Sequence, residues 1–240
     1  SNDSSGRIGK WNGVSAAAEA VNCGRIAANW KVLPTFALEW YETGYPNDKR
    51  WEISCADHRY TQDAGGKTSL WTYKEKVDGK DVVKDGYWAL AADPNAKADY
   101  RSKYNNNMCP GKWDIPTYVT EENNIVDANV SNVNWYVLRY ADVLLLYAEA
   151  LNEWKKGPSS EAFAAVNAVR RRGYGLPVNA ASSVADLDAS LGYEQFRQAV
   201  RKERAYELAF EGHRRQDLIR WGVYYETIRE TFDALADWHD

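Results

Sequence analysis

Three glutamates of this chain could perform acid–base chemistry because of their spacing. Glu203, Glu207 and Glu211 recur every fourth residue, which places them on one face of a helix. Two facing carboxylates are what glycoside hydrolysis requires, one as the acid and the other as the base or nucleophile. Several arginines lie in the same stretch, and nearby guanidinium groups lower carboxylate pKa values and oppose an acid role. These arginines are Arg201, Arg204, Arg214, Arg215 and Arg220. We therefore interpret the glutamates as ion-pair partners that tie helices together.

Other catalytic and metal-binding patterns are missing from the sequence. The three histidines and the three cysteines lack the spacing of a zinc site, and the cysteines do not form a disulfide framework. At most one disulfide with a free thiol is possible, and unpaired cysteines are the expectation. These residues are His58, His213, His239, Cys23, Cys55 and Cys109. No H-E-x-x-H, G-x-S-x-G, phosphate-binding glycine loop or calcium loop occurs. The sequence therefore predicts no catalytic residue, no metal and no cofactor.

The elements that must position these side chains change in character near Asn134. After this residue, apolar positions recur with helical periodicity over Trp135–Trp154, and Ser159 or Ser160 can cap a second helix that ends at Arg172. Further helices are predicted from Tyr193 to about Phe210, from Arg214 to Trp221, and in the tail that ends at Asp240. Before residue 134, the pattern of polar and apolar residues is less regular. Short helices are predicted around Ser15–Ala28 and Thr35–Glu42, and short strands or loops at Thr68–Tyr73 and Asp81–Trp88.

Composition narrows the class of partner. The 240 residues carry a net charge of −4, which argues against nucleic acid or an anionic membrane surface as a partner. No apolar run is long enough to cross a bilayer. The first seven residues form no signal peptide, so we expect either a cytoplasmic chain or a mature or truncated piece of an exported one. The sequence has 11 Trp and 16 Tyr but only 5 Phe and 1 Met. This composition favours partly solvated surfaces on which aromatic rings stack against ligands.

Three ordered segments of the second half resemble the SusD/RagB family of outer-membrane nutrient-binding lipoproteins. Residues 138–153 read LRYADVLLLYAEALNE and are similar to the signature helix of that family. Val166–Arg172 is similar to its N-x-x-R segment, and Glu203–Gly222, ERAYELAFEGHRRQDLIRWG, is similar to its most recognisable block. Upstream, the segments Leu33-Pro34-Thr35, Asn47-Asp48-Lys49-Arg50 and Lys103-Tyr104 resemble it more loosely.

The resemblance implies a mainly α, tetratricopeptide-like fold with irregular loops on one side. We expect a single domain over residues 1–240, truncated at both ends, with a loop-rich, ligand-facing half at 1–133 and a helical scaffold at 134–240. Proteins of this family are binding proteins and not enzymes. A lipid anchor, absent from this chain, holds them at the outer membrane and cell surface, where they pass glycans to a SusC-like TonB-dependent transporter. Some relatives take peptides instead.

Two sets of residues follow from this resemblance. A structural ionic network that fixes helix against helix is predicted from Arg139, Asp142, Glu149, Arg170, Glu203, Arg204, Glu207, Glu211, Arg214, Asp217 and Arg220. Glycan binding is predicted in the aromatic first half, since loops on a rigid base carry function. The candidates there are Trp11, Asn12, Asn29, Trp30, Trp40 and Tyr41.

Three alternatives stay open at this point. The first is peptide capture within the same family, which favours a deeper groove than a saccharide platform does. The second is a glycoside hydrolase that uses carboxylates such as Asp57 or Asp114. The third is a purely structural helical scaffold that contacts the transporter and no small molecule.

Overall fold

The chain folds as two compact units in the computed structural model, which describes residues 11–16, 26–56, 58, 60–62, 68–70, 72–85, 108–114 and 135–239. The first, here called the mixed unit, comprises Ser1–Ala37, Glu52–Trp135 and Leu235–Asp240. The second, here called the helical unit, comprises Leu38–Trp51 and Tyr136–Ala234. Each unit is described by itself below.

Helices dominate the described part of the chain, which confirms the predicted mainly α class. Their bounds are α1 Pro34–Gly44, α2 Arg50–Ser54, α3 Tyr140–Lys155, α4 Ser160–Gly173, α5 Tyr193–Glu207, α6 Arg214–Arg220 and α7 Tyr224–His239. Among the described helices, none is both long and apolar enough to cross a membrane.

Helices α3 and α4 form a hairpin whose ends follow local chemistry. The predicted start at Trp135 is five residues too early, because Arg139 is still extended, with φ −139° and ψ 160°. Helix α3 stops where Lys156 adopts a left-handed conformation with φ 55°. Ser159 then caps α4, as its hydroxyl accepts a hydrogen bond of 3.3 Å from the backbone N–H of Ala162.

The core of the helical unit lies between α3, α4 and α5. Leu145, Val166 and Phe196 are completely buried there, and the ring of Phe163 contacts that of Phe196 edge-on at 4.8 Å. The third of these helices is shorter than predicted. It ends at Glu207 and not near Phe210, whose φ of 65° is left-handed and incompatible with a continuing helix.

The described part of the mixed unit contains three small antiparallel sheets. Strands β4 (Thr72–Val77) and β5 (Lys80–Asp85) form a hairpin whose turn residues Asp78 and Gly79 both have positive φ. The other pairs are β1 (Cys55–Ala56) with β6 (Cys109–Pro110), and β2 (Tyr60–Gln62) with β3 (Thr68–Leu70). The two segments predicted as strands or loops therefore contain strands over their described residues.

The helix predicted around Ser15–Ala28, in the mixed unit, is wrong at both of its ends. Ser15, Ala16 and Ile26 are not helical, and the Ala16 backbone instead exchanges hydrogen bonds of 3.1 and 3.3 Å with that of Ile26. Ala28 has a positive φ of 49°, which also excludes a helical end there. The alanine-rich composition favoured a helix, but long-range pairing of the backbone decides the conformation here. Residues 17–25 lie outside the described part of the chain.

Candidate functional site

Glu207 is the centre of a buried ionic cluster in the helical unit. Its carboxylate accepts hydrogen bonds from the guanidinium groups of Arg50, Arg139 and Arg172, the first at 2.8 Å. Arg139, just before α3, also donates hydrogen bonds to the Glu211 carboxylate from Nε at 2.6 Å and from Nη2 at 2.9 Å. Forked contacts of this kind fix both the distance and the orientation of the paired groups. They therefore fasten the start of α3 to the end of α5.

Glu203 extends the same cluster by one helical turn. It accepts hydrogen bonds from Arg50 at 2.6 Å and from Arg170 at 3.0 Å, while Asp48 holds Arg50 from the opposite side at 2.7 and 2.8 Å. Four carboxylates therefore face four guanidinium groups, so the charges of the cluster balance. The carboxylates belong to Asp48, Glu203, Glu207 and Glu211, and the guanidinium groups to Arg50, Arg139, Arg170 and Arg172.

Arg50 was absent from the predicted network, although it is the residue that links Glu203 with Glu207. The sequence signal that could have pointed to Arg50 was the segment Asn47-Asp48-Lys49-Arg50, which resembled the family only loosely. Gly173 at the end of α4 makes room for this arginine, since a Cβ there would lie 2.3 Å from Arg50 Nε. A contact of that kind joins residues far apart in sequence, so no local pattern could show it.

A second cluster joins α3, α5 and α6. Arg204, which is 3% exposed, donates to Asp142 at 2.6 Å and to both oxygens of Asp217 at 2.9 and 3.0 Å. Arg220 continues the chain of contacts, because it donates to Asp217 at 2.9 Å and binds Glu149 through two nitrogens at 2.5 and 2.7 Å. These contacts connect the family-like segments 138–153 and 203–222 to one another.

Arg214 is the exception among the predicted network residues. It donates to the backbone carbonyl of Arg201 at 3.3 Å, and its guanidinium lies 5.6 Å from the ring centre of Trp221. No carboxylate of the described residues lies within ion-pair distance of it. Arg214 therefore contacts the end of α6 through an aromatic ring and not through an ion pair.

Two carboxyl groups of the first cluster, those of Glu207 and Asp48, are poorly suited to acid catalysis. Burial opposes ionisation of Glu207, but the charges of Arg50, Arg139 and Arg172 outweigh it and lower the pKa of this carboxyl. Burial likewise opposes ionisation of Asp48, while hydrogen bonds from Arg50 and Trp40 lower its pKa overall. A carboxyl that stays ionised at neutral pH does not donate a proton to a leaving group. The arginine contacts thus give these carboxylates a structural role.

Two of the predicted ligand residues lie in the helical unit, and one of them must be corrected. Trp40 is completely buried, with its ring stacked on that of Tyr206 at 4.6 Å and its Nε1 donating to Asp48 at 2.9 Å. An indole enclosed in this way has no exposed face for a sugar. The phenol ring of Tyr41 is only partly buried, but it stacks on Tyr45 at 4.6 Å. Both residues therefore contribute to packing around α1.

The other four predicted residues come together in the mixed unit. The backbone carbonyl of Trp11 accepts hydrogen bonds from the N–H groups of Asn29 at 2.6 Å and Trp30 at 3.3 Å. Trp11 and Trp30 are 40% and 55% exposed, and Asn29 is exposed as well. Asn12 is only 5% exposed, which leaves little of it for a ligand to reach. Trp11 and Trp30 are therefore accessible residues joined through their backbones, and exposed aromatic rings can stack on flat apolar faces.

A further aromatic pair and a polar cluster occupy the described part of the mixed unit. The ring of Trp135 stacks on that of the buried Trp113 at 5.2 Å and an interplanar angle of 7°, and Trp135 remains 39% exposed. Asp114 accepts a hydrogen bond of 2.9 Å from the Tyr60 hydroxyl and lies 3.5 Å from His58 Nε2. Asp57 lies outside the described residues. Over the described part of the chain, no group of three or more His, Cys, Asp or Glu residues could hold a metal ion.

The model of the SusD family matches residues 2–237, which is nearly the entire chain. The chain belongs to the SusD family. Both ionic clusters include residues of segments 138–153 and 203–222, and the first also includes Asp48, Arg50, Arg170 and Arg172.

Solved structures support the family assignment and the fold. A SusD homologue from Bacteroides thetaiotaomicron is 50% identical, with a TM-score of 0.76 over 98% of this chain and 41% of its own. A protein described as a laminarin-binding SusD-like protein is 26% identical, with a TM-score of 0.52 over 95% of this chain and 39% of its own. The agreement over most of this chain confirms the predicted SusD fold.

Curated relatives come from Formosa agariphila. SusD-like protein P38 is 32% identical over 83% of this chain and 35% of its own length. SusD-like protein P25 is 41% identical over 40% of this chain and 17% of its own length. The chain therefore spans about a third of the length of SusD-like protein P38 and less of that of P25.

Sequence reasoning missed Arg50 and the Trp113–Trp135 pair of this SusD-family chain. Trp113 and Trp135 are 22 residues apart, and their stacking depends on where the chain returns in space. The position of Trp135 just before the signature helix could have drawn attention to it. No local pattern indicated that its ring stacks on that of Trp113.

Proposed function

We propose that this chain is the part of a SusD-family protein that binds glycan at the cell surface without catalysing a reaction. The intact protein, held at the outer membrane by a lipid anchor, passes the glycan to a SusC-like TonB-dependent transporter. The observation that carries this proposal is the pair of accessible indoles, Trp11 and Trp30, in a SusD-family chain. A relative described as laminarin-binding supports glycan as the ligand class.

The chemistry of the indole pair suits a saccharide. Sugar rings carry C–H groups on one face, and these pack on the face of an exposed aromatic ring. Asn29 is adjacent to both tryptophans, since it precedes Trp30 in the chain and its N–H donates to the carbonyl of Trp11. An exposed amide there supplies both a donor and acceptors for sugar hydroxyls. The supported ring of Trp135 offers a similar surface in the same unit.

Isothermal titration with laminarin and a panel of other oligosaccharides tests the proposal. We expect the Trp11→Ala/Trp30→Ala variant to bind at least about tenfold more weakly, which corresponds to about 1.4 kcal/mol. The matched control is Tyr225→Ala, which removes a 75% exposed aromatic side chain from α7 in the helical unit and should bind like the wild type. Full binding by the double variant would discard the assignment of these two indoles.

A catalytic role is tested with the same panel. We expect no release of reducing sugar from any glycan that the chain binds. Release that depends on protein concentration and disappears in Asp114→Asn would instead favour the hydrolase alternative. Delivery to the transporter is tested separately, by co-purifying a SusC-like transporter with the intact protein from outer membranes.

A further inference from the structure

Three arginines of the helical unit surround the indole of Trp221, which follows α6. The guanidinium carbons of Arg201 and Arg220 each lie 4.8 Å from the ring centre, and that of Arg214 lies 5.6 Å from it. These distances are those of cation–π contacts. The indole itself is fixed, because its Nε1 donates to Glu149 at 2.8 Å. Three positive charges therefore meet around one positioned ring.

Two of these arginines lack a carboxylate partner among the described residues. Arg220 binds both Glu149 and Asp217, but no described carboxylate lies within ion-pair distance of Arg201 or Arg214. Arg214 donates to the backbone carbonyl of Arg201 instead, at 3.3 Å. Over the described part of the chain, the buried Nε of Arg201 has no hydrogen-bond partner. A buried donor is costly until an acceptor is supplied, so an anion bound here would be stabilised.

The acidic residues that act electrostatically on Arg201 and Arg214 are each bound to another cation. These pairs are Glu149 with Arg220, Asp217 with Arg204, Glu153 with Arg197, and Glu39 with Lys202. Burial, together with the positive charge of Arg197, lowers the pKa of Arg201 although Glu149 and Glu153 oppose this effect. The surroundings therefore leave the charge of Arg201 only partly compensated.

Carboxylate and sulfate groups suit this arrangement. A guanidinium group donates parallel hydrogen bonds to two oxygens of an oxyanion. Contact with the Trp221 ring already restricts the side chain of Arg201, so less freedom is lost when a ligand binds. Arg214 is exposed, and its guanidinium can turn towards an anion that Arg201 holds. Arginine is charged at neutral pH, so binding requires no change of protonation.

We propose that Arg201 and Arg214 bind a carboxylate or sulfate group of an acidic glycan beside Trp221. The inference takes its ligand class from the proposed glycan-binding function, and it adds a site in the helical unit to the indoles of the mixed unit. Trp221 is the support of this site, because its ring holds the two guanidinium groups near one another. A neutral glycan would leave both charges without a partner, so the site selects acidic glycans.

Laminarin and two charged derivatives of it test the proposal. One derivative carries sulfate esters, and the other carries carboxylates formed by oxidation of primary alcohols, so the three probes share one backbone. We expect isothermal titration to show that each charged derivative binds the chain at least about tenfold more tightly than laminarin does. Arg201→Gln/Arg214→Gln should abolish this gain in affinity.

Two further variants separate the site from net charge and from folding. The matched control Lys80→Gln/Arg229→Gln removes two exposed positive charges elsewhere and should keep the gain in affinity. Arg214→Gln alone changes an exposed side chain, so it should fold like the wild type and reduce the gain by about threefold or more. Circular dichroism of each variant checks that it is folded.

Several outcomes would overturn the proposal. No gain for charged laminarin, or a gain that survives in the double arginine variant, would refute the site. An equal loss of the gain in the control variant would indicate attraction by net charge alone. Polyglutamate that binds through the two arginines, without a gain for charged laminarin, would assign the site to an acidic protein segment instead.

The variant Trp11→Ala/Trp30→Ala distinguishes failure of this site from failure of the proposed function. In this variant, binding of neutral laminarin should fall, whereas the gain that depends on Arg201 and Arg214 should persist. Loss of the gain together with neutral binding would show that the arginines form no site of their own. Neutral binding that depends on the two indoles, without any gain for charged laminarin, would refute the arginine site and leave the proposed function intact.

Discussion

The helical unit buries a network of paired charges, whereas the candidate ligand site of the mixed unit is built from exposed aromatic residues. In the helical unit, carboxylates and guanidinium groups are buried and paired, as Glu207 is with Arg50 and Arg139. In the mixed unit, aromatic side chains remain accessible, as Trp30 is at 55%. Residues with catalytic chemistry are therefore structural in the helical unit, and we propose that residues without a reactive group form the binding surface in the mixed unit.

The largest expected effect comes from breaking the buried cluster at Glu207. Replacing it with Ala leaves Arg50 buried without one of its charge partners, so we expect Glu207→Ala to lower the free energy of unfolding by about 3–5 kcal/mol. Urea unfolding followed by circular dichroism measures this loss. The control is Glu194→Ala, which removes a 64% exposed partner of Arg197 and should cost only about 0–1 kcal/mol. An unchanged midpoint for Glu207→Ala would contradict the structural role of the cluster.

A substitution that crowds Arg50 is expected to have a smaller effect than one that removes a charge partner of Arg50. In Gly173→Ala the new methyl group meets the guanidinium, since a Cβ at this position lies within 2.3 Å of Nε. We expect a loss of about 1–3 kcal/mol in the free energy of unfolding. The matched variant Gly157→Ala has no atom within 4 Å of its new Cβ and should stay within about 0.5 kcal/mol of the wild type. Equal stabilities of the two variants would show that Arg50 is free to move aside.

Acid should weaken the helical unit through its paired carboxylates. Hydrogen bonds from Arg197, and to a lesser extent from Tyr193, lower the pKa of Glu153 to about 2, from an ordinary value of 4.5. A lowered pKa in the folded state means that this stabilisation is complete above pH 4.5 and is lost as the pH falls towards 2. The contribution is modest, because 39% of the Glu153 side chain is exposed and water screens the pair.

Unfolding at pH 7 and at acid pH measures this contribution. We expect Glu153→Gln to reduce the loss of stability between the two pH values. Arg197→Gln should produce a similar reduction, and the double variant should add little to either, because all three break the same pair. Additive effects of the two single changes would indicate that Glu153 and Arg197 act independently.

The smallest effect on stability is expected for Trp30 of the mixed unit. Trp30→Ala removes a side chain that is 55% exposed, so we expect the free energy of unfolding to change by no more than about 0.5 kcal/mol. Trp113→Ala, at a side chain that is 1% exposed, should instead cost about 3–5 kcal/mol. Chemical unfolding followed by circular dichroism compares the two. A large loss in Trp30→Ala would assign this indole to the fold and not to a ligand surface.

Most of the helical unit could be predicted from the sequence because its signals are local. The periodicity of apolar residues and the Ser159 cap predicted α4 closely, and the repeated motifs indicated both the family and most of the ionic network. Helix ends were less predictable. The left-handed conformation of Phe210 ends the regular part of α5, and it depends on the chain turning back and not on the preference of a phenylalanine.

The candidate site was predicted less completely than the scaffold. Trp11 and Trp30 were identified by residue type, but Trp40 has the same type and is enclosed by Tyr206 and Asp48. Exposure depends on which other elements pack on a side chain, and that information is spread over residues far apart in the chain. The same reason explains why Arg50 was missed.

The sequence by itself therefore determined the helical class, the family, and most of the charged residues that pair between helices, because periodicity and motif spacing are properties of neighbouring residues. Only the tertiary structure decided which partner each charge takes and which indoles face water. Those features depend on burial and on contacts between distant segments. The free energy of burying or pairing a side chain is set by its surroundings in the folded protein and not by its residue type alone.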